Sequence, residues 1–284
     1  FMLNESQLFH INGIMCRKKR KKMKKILLAS LIAVTSTFSM AAPSSDKNPA
    51  FEQIEQLIKA NDYTTAYQQL QKLAQEGNPQ ALYNLGYLTQ VGKGVTKNEQ
   101  QALKYYQQAS EKGYVVADYV LANNYVTGGL GLPKDEKKAR EYLEKASNAG
   151  FDDATVQLAV ALFSENKPAS DQQALKRLDP LIKKNSMPAI HTKALYDIST
   201  GIKNKQENKV NQGLQSIQNL AKKGYIPALM AVGNMLANGT IVQQNLPEAQ
   251  KIFSALAQQN VPRAKESLDT VNKMMTDQNK AKKS

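Results

Sequence analysis

The chain has 284 residues, 42% hydrophobic and 22% charged, with a formal net charge of +14 at pH 7. That balance is ordinary for a folded soluble protein, and the charge suggests a nucleic-acid or membrane partner only until it is located. Eight cations from Arg17 to Lys25 face one acid, Glu5, and Lys273, Lys280, Lys282 and Lys283 face Asp277, which leaves the body between them near +4 and sets nucleic-acid binding aside.

Cys16 is the one cysteine, and His191 is the one histidine beyond the first ten residues. Disulfide frameworks, paired-histidine zinc motifs and cysteine chemistry are excluded from the body of the chain.

In chain order, residues 1–22 begin with Phe and read as an upstream extension, with Met15 or Met23 as the start. Residues 23–41 have the three parts of a secretory signal peptide: basic Lys24-Lys25, an apolar run from Ile26 to Phe38, and small residues ending at Ala41. An uncleaved anchor is the competing reading, but the apolar run is short and interrupted by Ser30, Thr35, Ser36 and Thr37. Cleavage near Ala41 sends the mature chain across the inner membrane, into the periplasm of a Gram-negative cell, with no integral membrane insertion afterwards. No cysteine follows the apolar run, which argues against a lipoprotein.

Residues 42–48 form a polar linker, and residues 49–276 carry a repeating pattern. The first unit is irregular: Phe51 to Ala60 as one helix, Asn61-Asp62 as the turn, Thr64 to Glu76 as the second helix. Two regular copies follow between Gly77 and Gly150. Ala81, Leu85, Gly92, Ala102, Tyr105, Ala109 and Gly113 recur as Ala117, Leu121, Gly128, Ala139, Tyr142, Ala146 and Gly150. Each copy predicts two helices joined by a Gly-rich turn and closed by a left-handed glycine.

Beyond Gly150 the pattern decays through Ala154, Leu158, Ala174 and Leu178 to Asn185, which can also take a left-handed cap. The unit from Met187 to Gly224 is the least regular, with a polar loop expected over Lys203 to Lys209. The pattern returns as Ala228, Val232, Gly233, Gly239, Ala249, Phe253 and Asn260. A last helix is expected from Pro262 to Thr276, before a basic disordered tail over 277–284.

Self-similarity at this period means a solenoid. The residues resemble the Sel1-like repeat, a bacterial relative of the tetratricopeptide repeat, whose first helix carries Ala-x-x-x-Leu-Gly and whose loop carries Gly-x-Gly-Val. The Trp-Tyr usual in the second helix is Tyr105-Tyr106 here. The resemblance implies an all-α, right-handed α-α superhelix of about five to six helical hairpins plus a C-terminal capping helix.

It also implies a concave surface lined by the first helix of each hairpin. The row between packing positions would be Tyr83 and Tyr87, Tyr119 and Asn123, Val156 and Val160, His191 and Leu195, Met230 and Asn234. A groove of aromatic, apolar and amide groups suits a protein or peptide segment. Packing of some of the tyrosines in the core, and a surface position for His191, are the structural alternatives.

Catalytic raw material is scarce: no phosphate-binding glycine motif is present, and the expectation is no cofactor, no metal and no enzyme activity. Ser44 to Lys47 and Ser164 to Lys167 have the Ser-x-x-Lys spacing of penicillin-recognising enzymes but lack their companion motifs. The resemblance implies a monomeric scaffold in a cell-envelope assembly such as a secretion system, type VI being one guess. A cell-wall or β-lactam hydrolase and a peptidoglycan or membrane-surface binder remain the alternatives.

Overall fold

The computed structural model describes residues 49–281, and the expected upstream extension, signal peptide, linker and Cys16 all lie outside them. Thirteen α-helices occupy the described residues, no strand occurs among them, and they divide into two compact units, 49–162 and 163–281.

The first unit holds α1 (Pro49–Lys59), α2 (Tyr63–Gln75), α3 (Pro79–Val91), α4 (Glu99–Glu111), α5 (Val115–Thr127), α6 (Glu136–Asn148) and nearly all of α7 (Asp152–Ser164). Four of its helices, α2, α3, α4 and α6, start where the sequence offers a side-chain acceptor. Asp62, Asn78, Asn98 and Asp135 each accept from a backbone N–H three residues on, at 3.1, 3.0, 2.9 and 3.0 Å. Each such cap contributes about 1 kcal/mol. Helices stop in a left-handed residue, as at Gly92 and Gly128 within hairpins and Gly77, Gly113 and Gly150 between them.

We call α1, α3, α5 and α7 the A helices and α2, α4 and α6 the B helices. Small and large side chains alternate between them. Ile54, Ala66, Leu70, Ala81, Leu85 and Leu88 form one buried cluster; Ala102, Tyr106, Ala109, Ala117 and Leu121 belong to the next. The pairing is volume-matched from copy to copy. Gly86 of α3 lies against the Tyr106 ring, where an added Cβ would sit 2.8 Å from Cε1. Thirty-six residues after Gly86 and 37 after Tyr106 stand Ala122 and Leu143, both buried, one side chain larger and the other smaller.

Gly86→Ala alone is therefore expected to destabilise by about 2 kcal/mol through overpacking. Adding Tyr106→Leu should recover more than half of the loss expected from summing the single changes, measured by urea denaturation. Strict additivity would mean that the two positions do not meet.

The second unit holds α8 (Pro168–Lys183), α9 (Met187–Asn204), α10 (Glu207–Lys222), α11 (Ile226–Asn238), α12 (Leu246–Gln258) and α13 (Ala264–Ala281). Ile198, Val210, Ile217, Val232, Phe253, Leu256 and Val271 share one buried cluster. Gly233 repeats the glycine-under-ring device, its Cβ position lying 2.7 Å from Cζ of Phe253. Asn185 and Asn260 take the left-handed cap with φ of 57° and 55°.

Two expectations need correction. No polar loop spans Lys203 to Lys209: α9 runs to Asn204, α10 starts at Glu207, and Lys205 makes the turn at φ 57°. The helices can run this far because Gly213 lets α10 close on the Ala194 carbonyl and Ile198, and Gly201 lets α9 close on Val210. The polar residues are the solvent faces of two long helix ends. Nor does the chain leave the helix at Thr276: α13 continues to Ala281, with Gln278 Nε2 donating to Gln244 Oε1 at 2.9 Å.

Candidate functional site

In the first unit the A helices present repeat-equivalent residues in register. Tyr87, Asn123 and Val160 stand at one position of α3, α5 and α7, and Tyr119 and Val156 stand one turn earlier on α5 and α7; all five are half-buried. Tyr83 belongs to the same sequence row but not to the surface. It is 5% exposed, with its ring centroid 5.6 Å from Tyr106 and 5.2 Å from Tyr114, and burial pushes its phenol above the usual range.

Asn123 is the polar centre of the face. Gln157 Nε2 donates to Asn123 Oδ1 at 2.8 Å, joining α5 to α7, and Asn123 also hydrogen-bonds the Tyr119 hydroxyl. The Tyr119 ring is tilted against Phe151 at 5.1 Å, and desolvation raises its pKa. Gln157 Oε1 is shielded from solvent and has no hydrogen-bond partner. Gln157 was missed in the sequence row, although a lone amide in the apolar run from Val156 to Leu162 was the available signal.

In the second unit, Met230 and Asn234 are half-buried on α11, whereas His191 and Leu195 are buried at 8% and 7% exposure. His191 is thus neither a surface residue nor a groove residue. Its ring donates to the Pro227 carbonyl and meets Tyr225 edge-on at 5.6 Å, its Nε2 is buried without a partner, and burial lowers its pKa to about 4. Tyr83, His191 and Leu195 share the reason for correction: each lies on the stripe of its helix that faces a neighbouring helix.

A second polar cluster in the first unit escaped the sequence reading. Buried Asp118 accepts from Ser110 Oγ and pairs with Lys145 Nζ at 2.9 Å, and the same ammonium reaches the Ser110 carbonyl at 2.9 Å. One copy on, Ser147 Oγ and Thr155 Oγ1 meet at 2.8 Å at the equivalent positions. The recurrence assigns these groups to holding α4, α5 and α6 together. Ser164 and Lys167 are both exposed, and Lys167 Nζ lies 3.8 Å from Glu165, without the desolvation that a lysine base requires. Among the described residues no group of three or more His, Cys, Asp or Glu side chains is placed to hold a metal ion, and no helix is long and apolar enough to cross a membrane.

Stacked helical hairpins whose facing small and large side chains are volume-matched define an α-solenoid of the repeat class. The Sel1 repeat family matches residues 79–114, 115–151 and 226–261, so the chain carries three Sel1 repeats. The fold is similar to the crystal structure of a Sel1 repeat protein from Oxalobacter formigenes, with a TM-score of 0.59 and 23% identity over 78% of this chain and 87% of that one. A looser likeness, with a TM-score of 0.45 and 21% identity over 74% of this chain and 52% of the other, is to c5321, a protective antigen of uropathogenic Escherichia coli strains with an SLR fold. No curated protein matches the sequence. Sel1 repeats generally mediate protein–protein interaction, and that is the class of function the architecture supports.

Proposed function

We propose that the chain is an exported, non-catalytic scaffold that holds a protein segment against the A-helix face of residues 49–162, as a monomer, in the service of a periplasmic cell-envelope assembly of the secretion-system kind. Export rests on the three-part layout of residues 23–41. The observation that carries the binding reading is the Tyr119–Asn123–Gln157 network set between Tyr87, Val156 and Val160.

Such a face offers apolar and aromatic area for side chains and amides for an extended backbone. An amide oxygen shielded from water and without a donor costs about 1–3 kcal/mol. A small rotation of Gln157 toward the face would let an incoming N–H satisfy it.

The test uses the chain from Ala42 onward as bait in an envelope extract, beside a variant carrying Tyr87→Ala, Asn123→Ala and Val160→Ser. These side chains are half-buried, so the variant should keep its helical circular dichroism. The expected outcome is at least a tenfold loss of one specifically retained protein, the effect of removing two or three interface contacts of about 1 kcal/mol each. Full retention by a folded variant would move the binding face elsewhere.

A further inference from the structure

Two turns of the second unit carry the same six-residue pattern. Lys183-Lys184-Asn185-Ser186-Met187-Pro188 recurs 39 residues later as Lys222-Lys223-Gly224-Tyr225-Ile226-Pro227. In both, a lysine pair ends or follows a helix, α8 or α10; a left-handed residue turns the chain, with φ of 57° at Asn185 and 77° at Gly224; and the next helix starts on an apolar residue followed by proline. All four lysines are exposed.

Met187 and Ile226 are 39% and 40% exposed, and they are two of the three exposed large hydrophobic residues among those described. The turns lie side by side, because His191, one helical turn after Met187, packs on Tyr225 at 5.6 Å and donates to the Pro227 carbonyl.

Lysines at helix C-termini have an ordinary explanation in the helix dipole. The equivalent ends of the first unit show that this fold does not demand them: Gln75-Glu76 follows α2's core, Glu111-Lys112 closes α4 and Asn148-Ala149 closes α6. At the position of Met187 and Ile226 the other turns place Pro79, Val115, Asp152 and Pro262, none of them an exposed large apolar side chain. Lys183 is paired with Asp179 at 2.6 Å, while Lys184, Lys222 and Lys223 have no acidic partner among the described residues. Cations and apolar tips are thus added together, at the same two turns.

We infer that these two turns form an edge that docks on an anionic lipid bilayer. Ammonium groups at the level of the lipid phosphates, with apolar tips and an aromatic ring just beneath them, are the chemistry of an interfacial contact. An acidic protein segment would answer the lysines but would give no role to the projecting Met187 and Ile226. The contact is independent of the A-helix face, and it would hold the second unit at the membrane whatever segment the first unit binds.

The experiment is vesicle sedimentation with the chain from Ala42 onward, which keeps every described helix and omits the apolar run from Ile26 to Phe38. Vesicles of phosphatidylcholine containing about one-third phosphatidylglycerol are compared with phosphatidylcholine alone at physiological salt. The expected result is at least tenfold stronger partitioning to the anionic vesicles. Lys184→Glu with Lys222→Glu and Lys223→Glu should weaken it on the order of 100-fold, about fivefold for each lysine removed. Met187→Ser with Ile226→Ser should weaken it about tenfold at unchanged charge.

Circular dichroism checks that both variants fold, since every substituted side chain is exposed. Equal binding to neutral vesicles, full binding by the charge-reversed variant, or no effect of the apolar pair would each overturn the inference; the last would indicate a purely electrostatic partner such as an acidic protein. Truncation after Ala281, which removes Lys282 and Lys283, should change partitioning less than about twofold. A larger loss would assign the contact to the tail and overturn it equally.

Discussion

Gly94→Ala is expected to lower the unfolding free energy by more than about 3 kcal/mol, while Gly113→Ala costs only about 1–2 kcal/mol. Both glycines are left-handed, with φ of +72° and +83°, so the conformational penalty is shared. What differs is the surroundings. A Cβ on Gly94 would stand 2.2 Å from the Tyr63 carbonyl oxygen and 2.8 Å from the Thr64 nitrogen, whereas a Cβ on Gly113 would meet nothing within 4 Å.

The contacts at Gly94 are backbone atoms and cannot rotate aside, so the turn after α3 must lift off the start of α2. Lys93 Nζ, donating to the Tyr63 hydroxyl at 3.1 Å, would be displaced with it. Urea denaturation of the two variants measures the difference. Equal losses would mean that the turn does not latch onto the preceding hairpin.

The second large effect is a loss of stability on mild acidification that depends on His191. Its pKa falls from 6.5 to about 4 in the folded protein, first because of burial and against the opposing hydrogen bond to Pro227. The unfolded chain therefore takes up the proton more readily than the folded one. The contribution of the neutral ring is complete above about pH 6.5 and shrinks as pH falls toward 4, by about 3 kcal/mol in all.

Denaturation of the wild type and of His191→Gln at a series of pH values isolates this effect, because the shifted Asp153 carboxyl is common to both proteins. The stability difference between them should narrow by about 3 kcal/mol from pH 7 to pH 4. Parallel curves would show that the imidazole is already free to charge in the folded state.

Much of the architecture was legible because it is written twice. Ala81 to Gly113 and Ala117 to Gly150 repeat at nearly constant offset, and, Lys205 apart, the left-handed residues that end the helices fall on Gly or Asn, Asn185 and Asn260 included. Where the repeat lost its glycines the reading failed. Lys203 to Lys209 looks like a loop by polarity, but exposed helix ends are just as polar, and the close approach that makes long helices possible depends on Gly201 and Gly213.

The candidate face was legible as a period and not as a surface. Tyr83 and Tyr87 are one turn apart on one stripe, and only the neighbouring rings of Tyr106 and Tyr114 decide that the first is core and the second half-exposed. His191 was misplaced for the same reason, because its burial comes from Tyr225 and Pro227 in the next hairpin. In the sequence the lysine pairs at 183–184 and 222–223 are charge alone, because the exposure of Met187 and Ile226 beside them is set by the folded turns.

The most direct test of the scaffold account is site-specific photocrosslinking in living cells, with a benzophenone amino acid placed at Asn123 on the A-helix face or at Lys104 on the exposed side of α4. The account predicts a discrete protein adduct from position 123 and none from position 104. An adduct from 104 alone, with 123 silent in a folded and exported protein, would contradict it.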